Sequence, residues 1–366
     1  MFTAAARQLG YRVAVWDPDV DAPAHKSADR SFSAPFTDRD ELELFRNAVS
    51  AVTYEWENIP VAVASALERS VPVRPGSAIL RVLQNRLDHK AFLAEQGFPV
   101  APFRAVLNPK ELTKAAEAIG FPCLCKTATA GYDGKGQWRL SSMSDAGSLQ
   151  ERLSQSASPN SRWIVEQFLG FTKELSVLVI RGLDGDQRLY PVADNIHEAG
   201  ILRTTSIPAE IDRAIAEQAQ KTAASAIHAL RGVGVFCVEL FLMPDGTLLI
   251  NEIAPRPHNS GHYTLDACAV SQFEQQVRAL CGLPLGEVRL LSPAVMINLI
   301  GEDLTRALSE DALIALLRVP GTKLHVYGKN SIRPGRKMGH VTFMAEKLEE
   351  AQKAALTLQR FLQSPA

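Results

Sequence analysis

The chain has 366 residues, 46% hydrophobic and 22% charged, with 39 Lys and Arg against 40 Asp and Glu for a net charge of −1. That length exceeds what one core supports and predicts two or three domains of about 100–200 residues, while the near-zero charge excludes the basic face of a general nucleic-acid binder. No apolar run approaches the ~20 residues that span a bilayer and the first residues lack a secretory pattern, so a cytoplasmic protein is expected.

In chain order, "FTAAARQLG" reads as a helix capped by Gly10 and leads into a strand from Arg12 to Asp17. This is the αβ half of a βαβ unit whose first strand and glycine turn do not precede it. "AVTYEWENIP" predicts another strand ending in acidic and amide side chains, and "VPVRPG" a short one after a helix, giving an α/β mononucleotide-type domain up to about residue 80. "LQNRLDHKAFLAEQGFPVAPF" predicts one helix closed by Gly97 and Pro99. "GFPCLCKTA", "GQWRLSS", "SRWIVEQFL" and "KELSVLVIRG" then read as strands around one helix, an α+β unit. Cys123 and Cys125 alternate onto one side of their strand and are expected to pack in a core. The five cysteines, Cys123, Cys125, Cys237, Cys268 and Cys281, lack paired CxxC spacing, which argues against a disulfide framework or a zinc site. "IDRAIAEQAQKTAASAIHALRG" carries the 3.6-residue period of a helix.

Two stretches carry chemistry. "KTATAGYDGKGQW", Lys126 to Trp138, sets Gly131, Gly134 and Gly136 around Lys135. Glycine lets backbone N–H groups approach an anion, and lysine adds charge. A Walker loop would need Ser or Thr after Lys135, and Gly136 stands there. A dinucleotide loop would open a helix, whereas Gln137 to Leu140 reads as a strand. Taken alone, the stretch is either a loop that closes over phosphate or an ordinary flexible hairpin.

The second stretch is "VGVFCVELFLMPDGTLLINEIAPRPHNSGH", two apolar strands around Pro244-Asp245-Gly246. With Asp245 and Gly246 as the central pair, Glu239 falls opposite Glu252. Facing carboxylates about 5 Å apart inside an apolar sheet are destabilising unless a cation sits between them. Two carboxylates, with the amide oxygen of Asn251 or phosphate oxygens, suit Mg²⁺, with Mn²⁺ as a substitute. A one-residue bulge would instead turn Glu239 toward solvent. With a glycine loop in a hairpin and Lys126 just upstream, the expected ligand is a nucleoside triphosphate.

From Arg12 onward, the order and wording of "YEWENIP", "NRLDHK", "KTATAGYDGKGQW", "VEQFL", "KELSVLV", "HEAGILR", "VELF", "INEIAPRPHNSGH", "SQFEQQVRA", "MINLIG" and "YGKNSIRPGRKMGH" resemble the N5-carboxyaminoimidazole ribonucleotide synthetases, ATP-grasp enzymes of bacterial and fungal purine synthesis. The resemblance implies an α/β and α+β chain with the ATP-grasp fold. Its parts are a Rossmann-like pre-ATP-grasp domain over 1–82, an ATP-grasp domain over 83–288 with a lid at about 118–180, and a small β-rich C-terminal domain over 289–366. It implies that ATP phosphorylates bicarbonate to carboxyphosphate, that the exocyclic amine of 5-aminoimidazole ribonucleotide captures the CO₂ equivalent, and that the enzyme is a homodimer.

Residue by residue, Arg86 and Lys126 match the family's ATP-phosphate contacts and Gly131 to Gln137 its lid, which takes in Tyr132, Asp133, Gly134, Lys135 and Gly136. Glu166, Gln167, Phe168 and Leu169 match the strand that recognises adenine, Glu174 the acid that accepts the ribose hydroxyls, and His197, Asn251 and Glu252 further nucleotide contacts. Glu239 and Glu252 would hold the metal. Arg256, His258 and Asn259, on the same strand exit, would place donors on bicarbonate. Glu57, Asn58, Tyr132, Asp133, Lys329, Arg336 and Lys337 would meet the ribonucleotide, with Asp133, Arg256 and Lys329 as the catalytic set. Family members begin with a strand and a GGGQLGRM-like turn, and this chain opens after most of that motif. Impaired folding and a weak hold on the substrate phosphate are the expectation unless the true start lies upstream. Two other readings stay open: another ATP-grasp ligase, such as formate-dependent glycinamide ribonucleotide transformylase, and a non-catalytic nucleotide-binding remnant.

Overall fold

Strands that read as apolar on both faces have to be covered on both faces, and they form the spine of the molecule. In the computed structural model, which describes residues 1–129, 131, 136–156, 158 and 160–363, a nine-stranded sheet runs in the order Leu248–Ala254, Gly234–Leu242, Lys173–Arg181, Ala193–Glu198, Ile201–Ile207, Ala294–Ile300, Lys337–Met344 and Thr322–Val326, with Gln187–Leu189 paired beside Lys173–Arg181. Phe236, Val238 and Leu240 face the helix Arg213–Leu230, whose Ala219, Ala223, Ala226 and Ile227 form its buried stripe. Val235 and Cys237 point the other way, toward Ala254, Tyr263, Ala267 and Ala279. Glu239 follows them in alternation, which places its carboxylate at the end of that second face.

A separate four-stranded sheet, ordered Phe103–Val106, Trp163–Gln167, Cys123–Thr127 and Gln137–Leu140, is backed by the helices Leu112–Ile119 and Met143–Ser156. It draws in Phe103–Val106, upstream of residue 118 where the lid was expected to begin. Cys123 and Cys125 are free thiols buried in its core, as the alternation predicted. Strand pairing of Lys126 with Gln137 closes the base of the glycine-rich segment.

The first domain has less sheet than its sequence suggested. Ala14–Trp16 pairs in parallel with Arg30–Phe32, but "AVTYEWENIP" and "VPVRPG" contribute only one parallel bridge, Val52 to Val73. Pro72 and Pro75 bracket Val73 and lack the N–H that a longer ladder needs. The single helix expected at "LQNRLDHK" is two, Ser77–Gln84 and Arg86–Glu95. Asn85 breaks it with an extended backbone, and its side chain accepts from the Leu87 amide as an N-cap. The N-terminal helix Phe2–Gln8 docks on the helix Gln272–Cys281 through Ala5, Ala6, Phe273 and Val277.

The C-terminal strands add to the spine instead of making a sheet of their own, since Ile201–Ile207 pairs directly with Ala294–Ile300. Helices Asp303–Ala307, Glu310–Leu317 and Leu348–Gln363 accompany them, and Ala307, Leu316, Ala351 and Leu358 pack in one cluster with Val295 and Val341. No helix among the described residues is long and apolar enough to cross a membrane.

Candidate active site

Glu239 does lie opposite Glu252, but not by the turn that predicted it. The loop has three residues, Pro244 to Gly246, with Gly246 at φ +85° and the Met243 amide bonded to the Thr247 carbonyl, so Leu242 pairs with Leu248 and Leu240 with Ile250. A bulge then inserts Asn251, and the register moves by one so that Glu239 meets Glu252. A bulge sets two residues against one. Asn251 and Glu252 therefore both confront Glu239, and the Asn251 amide donates to Glu239 Oε2 at 3.2 Å.

Burial, with Glu252 alongside, pushes the Glu239 carboxyl up to about 7. A buried carboxyl that stays half-protonated at neutral pH marks a place short of positive charge. A divalent ion would supply that charge, so the pair fits Mg²⁺. Among the described residues no three His, Cys, Asp or Glu side chains form a metal cluster, and Mg²⁺ needs only one or two protein carboxylates where phosphate and water complete its shell.

Behind Glu239 lies a recess lined by Glu174, Asn195, His197, Phe241 and Asn251. Glu174 Oε2 is 2.7 Å from His197 Nδ1. Burial alone would lower the imidazole pKa, but Glu174 outweighs it and holds His197 above its usual value. A chain of buried hydrogen bonds that the sequence did not disclose runs from Thr205 to Asn195 Oδ1, from Asn195 Nδ2 to Ser176, and from Ser176 to Ser260 at 2.9 Å. Ser260 Oγ is 2.9 Å from His258 Nδ1, and the Ser260 amide donates to the same nitrogen. Burial, with Arg256 nearby, drives His258 well below its usual pKa. The neutral ring thus carries its proton on Nε2, aimed at Glu239 Oε1 3.3 Å away.

Glu57 and Arg256, assigned from the sequence to different ligands, meet in the structure. The Arg256 guanidinium engages both Glu57 oxygens, Nη2 at 3.0 Å from Oε1 and Nε on Oε2, a bidentate pair between the first domain and the exit of the strand Leu248–Ala254. Burial works against the Arg256 charge, and Glu57 more than offsets it, so its pKa lies above the ordinary value. Asn259 is buried beside it, and neither its side-chain nitrogen nor its oxygen has a hydrogen-bond partner among the described residues. An unpartnered buried amide of this kind calls for a ligand.

Arg86 holds the base of the glycine segment: Nη1 donates to the Thr127 carbonyl at 3.0 Å and Nη2 to that of Gly131 at 2.8 Å. Gly136 sits at φ +69°, and Gln137 opens the return strand. Tyr132, Asp133, Gly134 and Lys135 lie outside the described residues. Lys126 Nζ is 2.5 Å from Glu166 Oε2, and Lys90, which the sequence reading gave no role, is 3.2 Å from Oε1. Burial would raise Glu166, but the two ammonium groups outweigh it and hold the carboxyl at about 2. Within the expected adenine strand, the amides of Gln167 and Phe168 are already bonded to Pro102 and Pro122.

At the far end, Lys329 Nζ donates to the Lys337 carbonyl at 2.7 Å and Arg336 Nη1 to that of Ser331 at 2.9 Å. Asn330 ties this loop to the first domain through Lys26 and Asp21. Asn58 is half-buried next to Glu57.

Comparison with known proteins covers most of the chain. The ribonucleotide synthetase preATP-grasp domain matches residues 1–84, the ATP-grasp domain 91–273 and the phosphoribosylaminoimidazole carboxylase C-terminal domain 294–354. The chain is similar to the N5-carboxyaminoimidazole ribonucleotide synthase of Bacillus subtilis (strain 168), 40% identical over 353 residues, covering 96% of this chain and 90% of the relative. It superposes on an ADP complex of an N5-carboxyaminoimidazole ribonucleotide synthetase with a TM-score of 0.91 and 39% identity, over 98% of this chain and 92% of the other. With the Aspergillus clavatus synthase in complex with ADP and 5-aminoimidazole ribonucleotide the TM-score is 0.88 at 31% identity, covering 99% and 95%.

A nine-stranded sheet that carries the carboxylate hairpin, and a four-stranded sheet whose paired strands Cys123–Thr127 and Gln137–Leu140 bracket the glycine segment, define the class, an ATP-dependent ligase with the ATP-grasp fold. Within that class the chain belongs to the N5-carboxyaminoimidazole ribonucleotide synthase family, which uses ATP and bicarbonate on 5-aminoimidazole ribonucleotide in purine biosynthesis.

Proposed function

We propose that this chain carries out the family's carboxylation with the following division of labour. Glu239 and Glu252, with Asn251 beside them, hold Mg²⁺ or Mn²⁺, which when bound offsets the charge of the ATP phosphates. Lys126 and Arg86 approach the phosphates from the opposite side, Glu174 with His197 takes the ribose, and the backbone of 166–169 reads adenine. Residues 131–137, including Tyr132, Asp133, Gly134 and Lys135, close over the site and exclude water, which would hydrolyse carboxyphosphate.

Arg256, His258 and Asn259 hold bicarbonate so that one of its oxygens attacks the γ-phosphorus and ADP leaves. The amine of the ribonucleotide then bonds to the carboxyl carbon, the C–O bond to phosphate breaks, and Asp133 or Lys329 takes the amine proton. Glu57 and Asn58 contact the aminoimidazole, and Arg336 and Lys337 its 5′-phosphate. The observation that carries this reading is the bulged hairpin, which sets Glu239 against Glu252 with its carboxyl raised to about 7. The buried, unpartnered amide of Asn259 supports the bicarbonate assignment.

We also read the chain as cytoplasmic and homodimeric. Sedimentation at micromolar concentration tests the dimer, and a monomer there would refute it. A coupled ADP-release assay tests the reaction. ADP formation is expected only when bicarbonate and 5-aminoimidazole ribonucleotide are both present. Turnover with formate and glycinamide ribonucleotide instead, or none with any pair, would overturn the reading.

A further inference from the structure

Lys90 sits one turn after Arg86 on the helix Arg86–Glu95, and only 5% of it is exposed. Its ammonium lies 3.2 Å from Glu166 Oε1 and 3.3 Å from the carbonyl of Ile250. The other oxygen of Glu166 is 2.5 Å from Lys126 Nζ. One buried carboxylate is therefore shared by two ammonium groups, from a helix and from the strand that leads into the glycine segment. Burying a third charge beside an already neutral pair is costly and needs a reason.

The charge count supplies one. Lys126 and Glu166 alone sum to zero and offer little to a triphosphate. Adding Lys90 makes the group +1, and the excess falls on Lys126, whose side chain is 16% exposed against 6% for Lys90. We propose that Lys90 is a positioning residue for the phosphate site: it neutralises Glu166 from behind, so that Lys126 presents an uncompensated positive charge to the phosphates of ATP. Its bond to the Ile250 carbonyl, next to Asn251 and Glu252, also fixes the cationic wall relative to the carboxylate strand. The inference rests on reading Lys126 as a phosphate contact.

The test measures ATP Kd and ribonucleotide Kd for Lys90→Met, Lys126→Met and the double variant Lys90→Met/Glu166→Gln. Removing a unit charge within about 10 Å of the phosphates at an effective dielectric near 20 weakens binding on the order of tenfold. Lys90→Met should show that loss for ATP with ribonucleotide affinity unchanged. The double variant restores the +1 count and should return ATP Kd to within about twofold of wild type, a rescue that a purely structural role would not produce. If the double variant binds ATP as poorly as Lys90→Met, the charge argument is wrong. Should Lys90→Met prove insoluble, the double variant decides alone: wild-type ATP affinity supports the proposal, and a tenfold loss overturns it. If Lys126→Met leaves ATP Kd unchanged, the phosphate role of Lys126 itself fails, and the inference goes with it.

Discussion

Substituting Glu239 should make the nucleotide-free protein more stable as it disables the enzyme. The Glu239 carboxyl is raised from an ordinary 4.5 to about 7 by burial and by Glu252, and its side chain is 16% exposed. Holding the carboxylate charged at pH 8 against that displacement costs the folded chain roughly 3 kcal/mol. The sign follows from proton counting. Below pH 4.5 the group is protonated in both folded and unfolded chains and costs nothing; between 4.5 and 7 the folded chain binds the extra proton; above 7 the folded chain carries the buried charge and the full penalty. Glu239→Gln has no such titration and keeps the hydrogen-bonding shape. Denaturant titration without nucleotide should therefore show it more stable than wild type by up to about 3 kcal/mol at pH 8, with the advantage gone by pH 4.5. Adding Mg²⁺ and ATP should stabilise wild type more than the variant. An advantage of equal size at pH 5 and pH 8, or a variant that gains as much as wild type from Mg²⁺ and ATP, would refute the reasoning.

Other expectations follow from the same geometry. Arg256→Lys loses the two-pronged hold on Glu57 and should lower ADP release on the order of 100-fold with near-normal ATP Kd; a loss under threefold would contradict the role. Asn85→Ala removes the cap of the helix that carries Arg86 and Lys90 and should cost about 1 kcal/mol in denaturant titration, whereas an unchanged midpoint would mean that the break is set by packing alone. Burial holds His89 down at about 3, so between pH 6.5 and 3 the unfolded chain binds a proton that the folded one does not, and stability falls as pH drops through that window. Replacing His89 with Phe should flatten the acid side of the stability profile, and an unaltered slope would refute this.

Much of the site was legible because its residues lie in short polar runs inside apolar strands. Glu239 and Glu252 stand out for that reason, and so does the donor run after Ala254. Their pairing was nonetheless reached through two compensating errors: the turn holds three residues instead of two, and the bulge at Asn251 restores the register. A bulge leaves no mark in an alternation that is apolar on both faces. Lys90 and Glu166, like Ser176 and Ser260, are partners across long sequence separations. A single polar side chain in a helix or strand does not announce a distant counterpart, so neither link could be read. In the first domain the opposite error occurred. "AVTYEWENIP" and "VPVRPG" have strand composition, but the prolines around Val73 restrict them to one bridge. The Glu57 to Arg256 pair joins two domains, a contact that only the tertiary arrangement creates.

The most direct measurement is equilibrium binding of Mn²⁺ in the presence of ATP, read from the free-ion paramagnetic signal, for wild type, Glu239→Gln and Glu252→Gln. The account predicts that each single substitution sharply weakens the ATP-dependent Mn²⁺ binding seen in wild type, with both variants folded. Unchanged Mn²⁺ binding in both variants would contradict it.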